Sequence, residues 1–432
     1  MRVHILTLGS RGDVQPYLAL GLALKQRGHT VTICTHSNFA SFVTGYDLKF
    51  AEIGGDVLEA INRPESKEWM ESGLNPVKFV SGFRKIMESE LVEGARKAVV
   101  ACADAEAVIG SGTGFYAGLA VAQANQIPFV QAYVQPVHPT WEFPSALFPT
   151  AIRGGAALNF ITHWVGGQLF WQALHPIVNR VRRDVFQIKP ISPLLGPIVE
   201  MDLARVACLY GFSPYVLAKP NNWKPWHHVT GYWFLDEPEW EPPPLMQKFI
   251  DAGEPPLCVG FGSISDTKPE LISATVLKAV KQSGERAIVL TGWGGLRQSQ
   301  TQSDLPEMSE NIFVTDQAPH SWLFPRCKAI VHHGGSGTSG AAFRSGMPSV
   351  VVPFFGDQPF WAEQANRLGV GLFIHRQDLS TQVLAAAIGR VCNDDTIRDA
   401  ASALGGKIRT EHGAAAAASI FDECILKGPA NL

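Results

Sequence analysis

At 432 residues the chain suits two domains of ordinary size, each with its own core. A charged fraction of 17%, a hydrophobic fraction of 46% and a net charge of −3 describe an apolar but globular polypeptide with no electrostatic footprint for nucleic acid. Seven cysteines without a CxxC pair argue against a disulfide framework or a zinc site and read as buried thiols of a reducing compartment.

The first stretch, "RVHILTLGSRGDVQPYLALGLALKQRGHTVTICTH", reads as a βαβ unit. A strand over Val3–Leu8 meets a Gly-Ser-Arg-Gly-Asp turn. A helix is predicted from about Pro16 to Gln26, with Gly28 past its end, and a second strand over Thr30–Thr35. The crossover makes the two strands parallel. The turn lacks GxGxxG, which disfavours a dinucleotide. "VHILTL" is too short for the apolar core of a signal peptide, so the expected location is cytoplasmic. Asp13 has two readings, a helix N-cap or a carboxylate at the ligand-binding edge of an open α/β sheet.

A strand is expected over Leu48–Ile53, helices around mobile loops over Asn62–Ser89, and a helix over Leu91–Ala101. Residues 106–136 repeat strand, turn, helix and strand. The glycine turn Gly110–Gly114 imitates a phosphate loop, but on the same edge as the first it is expected to make room for a second substrate. From Pro139 to Trp171 the composition turns to Phe, Trp, Ala, Gly and Pro, and Gly154–Asn179 contains no Asp, Glu, Lys or Arg. Its glycines, Asn159, His163, Gln168 and Pro176 argue against a transmembrane helix. One reading is buried core helices; the other is an apolar cleft wall or a segment that dips into a membrane surface, with Arg180, Arg182 and Arg183 beside it. On the second reading Phe143, Phe148, Phe160, Trp164 and Phe170 bind a hydrophobic acceptor.

Ala204–Tyr210 and Val229–Trp233 look like the last strands of a first domain, 1–235, and the acidic, proline-rich residues 236–244 like a linker. A second α/β domain, 245–405, opens with the strand Leu257–Phe261 and the turn Gly262–Ser263. Helix Pro269–Ser283, strand Arg286–Thr291 and a mobile Gln/Ser-rich loop follow. "KAIVHHGGSGTSGAAFRSGMPSVVVPFFGDQ" is the most informative stretch: strand Lys328–His333, glycine turn, helix Thr338–Gly346, strand Pro348–Phe355. Free backbone N–H groups and the dipole at that helix N-terminus suit a phosphate. Gly334, Gly335 and Gly337 allow close approach, Ser336, Thr338 and His333 add donors, and Asp357 and Gln358 at the next strand end suit the hydroxyls of a sugar. Helices complete the chain, the last within 406–432.

This stretch resembles the nucleotide-sugar signature of the glycosyltransferase-B (GT-B) fold, and "HHGGSGT…VVVPFFGDQPFW" is closest to the sterol 3-β-glucosyltransferases. "GSRGDVQPY" is similar to that family's N-terminal motif. The resemblance implies that His333, Ser336, Gly337 and Thr338 hold the donor diphosphate, that Asp357 and Gln358 hold its sugar, that Asp13 is the general base, and that Ser10 and Arg11 approach the diphosphate. Gly262 and Ser263 would reach it from the other side. In plant enzymes of this fold a His stands at the Asp13 position and a Trp that stacks on uracil precedes the Ala-Pro; here Gln317 and Ala318 stand at that place.

The resulting expectation is an α/β protein with two Rossmann-like domains facing across a cleft, its terminal helix crossing back to the first domain. It would be an inverting hexosyltransferase that moves glucose from UDP-glucose to a hydroxyl of a sterol or similar lipid. No His, Asp or Glu cluster has metal-ligand spacing, so no cofactor and no metal are expected. The alternatives are a transferase that uses a dTDP- or UDP-sugar on a polyketide or peptide, and a non-catalytic lipid- or nucleotide-sugar-binding module. Peripheral membrane contact is compatible with either lipid reading.

Overall fold

The computed structural model describes residues 1–56, 59, 63, 66, 69, 75–147, 154–237, 240–261, 269–292, 308–309 and 311–426. The chain divides into two compact units, Met1–Leu235 with Glu411–Leu432, and Asp236–Thr410.

The first unit runs β1 (Arg2–Leu6), α1 (Arg11–Gln26), β2 (Thr30–His36), α2 (Ala40–Thr44), β3 (Lys49–Gly54), α3 (Pro76–Ala101), β4 (Ala107–Gly110), α4 (Phe115–Asn125), β5 (Phe129–Tyr133), α5 (Gly155–Asp184), α6 (Gly196–Leu203), β6 (Cys208–Tyr210) and β7 (His227–Val229). Its strands pair in the order β3-β2-β1-β4-β5-β6-β7, all parallel. Short apolar strands separated by crossover helices give this doubly wound sheet, and its order reverses between β1 and β4. Val3 and Ile5 of β1 are fully buried against Val14, Leu18 and Leu24 of α1.

The second unit runs α7 (Pro244–Asp251), β8 (Leu257–Gly260), α8 (Pro269–Ser283), β9 (Ala287–Leu290), β10 (Met308–Ser309), β11 (Ile312–Thr315), α9 (His320–Leu323), β12 (Ala329–His332), α10 (Ser336–Ser345), β13 (Ser349–Val351), α11 (Gln358–Arg367), β14 (Gly371–Phe373), α12 (Thr381–Asn393) and α13 (Asp395–Ile408). The order β10-β11-β9-β8-β12-β13-β14 is parallel except for β10 against β11. Here the reversal lies between β8 and β12. The chain then returns to the first unit as α14 (Gly413–Leu426), whose Ala417, Ala418 and Phe421 join the core under α1. Arg27 and His29 fasten it through Asp422, at 2.5 and 2.7 Å.

Several elements differ from the sequence expectation. Helix α1 begins at Arg11, not Pro16, because Ser10 and Asp13 form a capping box ahead of the proline. Helix α3 is continuous from Pro76, where Asn75 caps it by accepting from the N–H groups of Val77 and Lys78. The apolar segment is one 30-residue helix, α5, with Pro176 inside it, and among the described residues no helix is long and apolar enough to cross a membrane. Strand β6 starts only at Cys208, because α6 runs to Leu203 and Arg205 then turns with φ +57°. Strand β7 stops at Val229, ahead of Gly231 at φ +98°. The expected linker begins where the second unit does, at Asp236, and its described residues make contacts within that unit. The Asp236 carboxylate takes two hydrogen bonds from Arg344 at 2.6 and 2.9 Å, Trp240 packs edge-on to Trp322, and Pro244 opens α7. The unit boundary falls after Thr410, five residues beyond 405. The cysteines are free thiols, as Cys34, Cys102 and Cys208 in the first sheet region illustrate.

Candidate active site

In a doubly wound sheet the crevice for a ligand opens beyond the carboxyl ends of the strands on either side of the order reversal. In the first unit those ends are the β1 turn and the β4 turn. Asp13 sits at the third position of α1, half-buried. Its Oδ2 accepts from the Ser10 backbone N–H at 2.8 Å and from the Ser10 hydroxyl at 3.0 Å, and both bonds leave Oδ1 outside the cap. Asp13 is therefore a capping residue in part, though not the N-cap itself. Burial pushes its carboxyl above the ordinary range, against the pull of the two Ser10 bonds, and no cation is among the causes.

Other side chains brace this turn. Thr7 donates its hydroxyl to the Asp13 carbonyl at 2.6 Å, and Thr113 donates to Leu8 O at 2.6 Å while accepting from Leu8 N–H at 3.0 Å. The β4 turn thus holds the β1 turn in shape; the sequence offered only a second glycine cluster there. Ser111 in the same turn accepts from Gly114 N–H at 3.1 Å. Gly9 has φ +122°, and a Cβ on it would lie 2.4 Å from Asp13 Oδ2. Gly9→Ala is expected to displace the carboxylate and lower the melting temperature, since a left-handed non-glycine residue costs about 1–3 kcal/mol by itself. An unchanged melting temperature would show that the turn tolerates a Cβ. Arg11 donates to Gln15 Oε1 at 2.9 Å and lies 4.8 Å from the centre of the Phe42 ring.

In the second unit the β12 end and α10 form the glycine turn. The helix starts at Ser336, two residues earlier than expected, so Ser336, Gly337 and Thr338 form its first turn with their N–H groups lacking helical partners. Gly337 is exposed, Thr338 half-buried and Ser336 buried. His332 Nδ1 accepts from Gly334 N–H at 3.1 Å, which puts the ring proton on a buried, unpaired Nε2. His333 Nδ1 is also buried without a partner, and burial followed by the neighbouring His320 lowers its pKa to about 4, so the ring is neutral at pH 7. A Cβ at Gly335 would stand 2.6 Å from His333 Nε2, so a larger residue there would have to push that ring aside.

Asp357 and Gln358 open α11 rather than ending a strand. Gln358 is buried, and its Oε1 accepts from Phe354 N–H at 2.8 Å and Phe355 N–H at 3.3 Å, which leaves the amide nitrogen as its available donor. Asp357 is half-buried, with Oδ2 accepting from Trp361 Nε1 at 2.8 Å, a partner one helical turn on. Gln317 is exposed, while the Ala318 side chain is in the core. Gly262, Ser263 and Phe148, like the Gln/Ser-rich loop and much of residues 62–74, lie outside the described residues.

The predicted acceptor residues do not form one surface. Phe143 faces inward, and its carbonyl bonds His163 Nε2 at 3.0 Å. Phe160 stacks on Trp141 with ring centres 4.3 Å apart, and Trp164, one turn along α5, is 62% exposed. Phe170 instead packs against Phe79 and Phe83 of α3. Of the predicted acceptor residues that are described, Phe160 and Trp164, beside Trp141, stand on a side of α5 with exposed apolar surface.

Two solved structures have the same fold over nearly their whole length. These are the calicheamicin glycosyltransferase CalG4, with a TM-score of 0.71, 20% identity and coverage of 98% and 97% of the two chains, and the glycosyltransferase SnogD from Streptomyces nogalater, at 0.63, 21%, 98% and 99%. The chain has the GT-B fold. Within this GT-B chain, residues 3–144 match the glycosyltransferase family 28 N-terminal domain and residues 295–418 the EryCIII-like C-terminal domain, named for erythromycin biosynthesis protein CIII. Curated relatives include a sterol 3-beta-glucosyltransferase of Cryptococcus neoformans, 36% identical over 431 residues, and one of Arabidopsis thaliana, 32% identical over 434. They cover 96% and 98% of this chain, but the GT-B chain spans only 26% and 65% of their lengths.

Proposed function

We propose that this chain is an inverting hexosyltransferase that moves glucose from UDP-glucose to the hydroxyl of a sterol or sterol-like lipid, with Asp13 as general base. The observation that carries the reading is Asp13: a carboxylate with a raised pKa and an uncommitted oxygen, at the order reversal of a GT-B sheet. A carboxylate whose basicity is raised in this way suits the removal of a proton from an attacking hydroxyl. The sterol 3-beta-glucosyltransferase relatives support the choice of acceptor, and the helix-N-terminal glycine turn supports a diphosphate donor.

In this mechanism the acceptor O–H gives its proton to Asp13 as its oxygen forms a bond to C1 of the sugar. The bond from C1 to the diphosphate oxygen breaks, and its electron pair leaves on the diphosphate. The first-turn N–H groups of α10, the Ser336 and Thr338 hydroxyls and the neutral His333 ring stabilise that charge; preorganised donors of this sort contribute about 3 kcal/mol each to the transition state. By the family resemblance, Ser10 and Arg11 are assigned to the diphosphate, the Ala318 backbone to the base beside Gln317, and Asp357 and Gln358 to the sugar. These groups do the work of charge neutralisation without a metal. One displacement inverts C1, so an α-linked donor gives a β-glycoside. Proton NMR of the product tests this: a β-linked sterol glucoside is expected, and an α-linked product or no transfer overturns the proposal.

The apolar side of α5 is the part of the first unit best suited to a lipid acceptor or to the surface of a membrane that contains it. Phe160→Ser together with Trp164→Ser is expected to raise the acceptor KM about 10²-fold or more and leave donor KM unchanged, since two aromatic contacts contribute about 1.5–3 kcal/mol each when buried. Phe170→Ser is expected to lower stability instead. An unchanged acceptor KM in the folded double variant would remove this face from the acceptor site.

A further inference from the structure

One group of polar side chains in the first unit takes no part in the proposed reaction. His138, from the segment after β5, Asp202, at the end of α6, and His227, at the start of β7, bring one ligand atom each within 4.8 Å of one another. His227 Nε2 lies 2.7 Å and His138 Nε2 3.8 Å from Asp202 Oδ1. Both imidazoles are buried, at 1% and 2% exposure, and His138 Nε2 has no hydrogen-bond partner. A buried ring nitrogen without a partner costs free energy, and the bond of His138 Nδ1 to the Tyr210 hydroxyl leaves Nε2 unsatisfied.

We propose that His138, Asp202 and His227 bind a divalent transition-metal ion that fastens the segment after β5 to α6 and β7. Bonds of about 2.0–2.2 Å to one ion separate its ligand atoms by about 3.0–3.5 Å, and the present separations of 2.7 and 3.8 Å bracket that range. Two imidazoles and one carboxylate suit zinc and its first-row neighbours and do not suit magnesium or calcium. The Asp202 side chain is 28% exposed, which leaves an edge through which water completes the coordination.

The surroundings have the character of an outer shell. His138 Nδ1 makes a short hydrogen bond with the Tyr210 hydroxyl, which also accepts from His138 N–H at 3.2 Å and is stacked on Trp223. Asp202 Oδ1 accepts from Trp226 Nε1 at 3.0 Å. Such bonds orient ligands and set ring tautomers. Both rings bind as their Nδ1–H tautomers, and His227 then gives up only a long 3.4 Å contact from Lys224 N–H.

The ion's role is structural: the fastened segment leads into Trp141, which stacks on Phe160. The test uses the full chain purified without a metal column, titrated with Co²⁺ and followed by its visible ligand-field absorption, with zinc-dependent melting in parallel. One ion per chain is expected, with a melting temperature raised by Zn²⁺. Asp202→Asn and His227→Gln are expected to weaken binding more than the about 10- to 100-fold typical of outer-shell changes. If the wild-type chain takes up no ion from micromolar metal, or if folded variants bind as it does, the proposal is overturned. Should both variants fail to fold, the wild-type Co²⁺ spectrum decides: a spectrum of the free aquo ion sinks the site, and one with two nitrogen ligands and a carboxylate supports it.

Discussion

Asp13→Asn is expected to lower turnover of hexose transfer by about 10²-fold or more while UDP binds as it does to wild type, because general-base help contributes about 10²–10⁴-fold. Asparagine keeps Oδ1 as an acceptor for the Ser10 N–H and hydroxyl, so the capping box survives and the change isolates basicity. The pH dependence carries the same signature. Wild-type turnover falls as pH drops through the raised Asp13 pKa, and the variant's residual rate lacks that limb. Stability moves the opposite way. A carboxyl whose folded pKa lies above its unfolded value of about 3.9 contributes stability that is full below that value and is lost as pH rises through the folded pKa. Asp13→Asn is therefore expected to melt higher than wild type at neutral pH, with the gap closing in acid. A variant that turns over at close to the wild-type rate would leave Asp13 as a capping residue only.

Asp357→Ala is expected to weaken UDP-glucose binding by roughly ten- to a hundredfold and leave UDP binding almost unchanged. A charge-assisted hydrogen bond from a sugar hydroxyl contributes about 1.5–3 kcal/mol, which converts to that factor. UDP has no hexose hydroxyl to lose. The Ala variant also strips the buried Trp361 Nε1–H of its acceptor, so melting is measured beside binding; Asp357→Asn keeps an oxygen for Trp361 and should lie between wild type and Ala. His333→Ala is expected to weaken both ligands, since both carry the diphosphate. Calorimetry on these variants decides the division of labour. Equal losses of UDP and UDP-glucose in folded Asp357→Ala would assign the residue to the fold or the diphosphate.

The two βαβ frameworks were legible because the parallel strands are short apolar runs, several of them followed by a glycine turn, and the two motif turns fall on the carboxyl edge where β1 and β12 end. Boundaries set by single side chains were not. Pro16 looked like a first helical residue, while the Ser10–Asp13 pair starts α1 five residues earlier. Glycines and Pro176 argued only against a membrane span, and the sequence did not show that the segment is one continuous helix packed on α3. Aromatic content marked the acceptor region without telling which rings face inward: Phe143 and Trp164 are alike in sequence and opposite in exposure. The bond from Trp361 to Asp357 was visible as an i, i+4 spacing in "GDQPFW". No spacing could have revealed His138, Asp202 and His227, which three distant segments contribute.

Transfer of glucose from a uridine donor to a sterol hydroxyl, as proposed for this chain, is decided by incubating it with a sterol and either UDP-glucose or dTDP-glucose and following the sterol by mass spectrometry. A sterol carrying one hexose is expected, formed faster with UDP-glucose and about 10²-fold slower or more in Asp13→Asn. Transfer confined to the thymidine donor and a polyketide acceptor, or uptake of donor and sterol without any transfer, would contradict it.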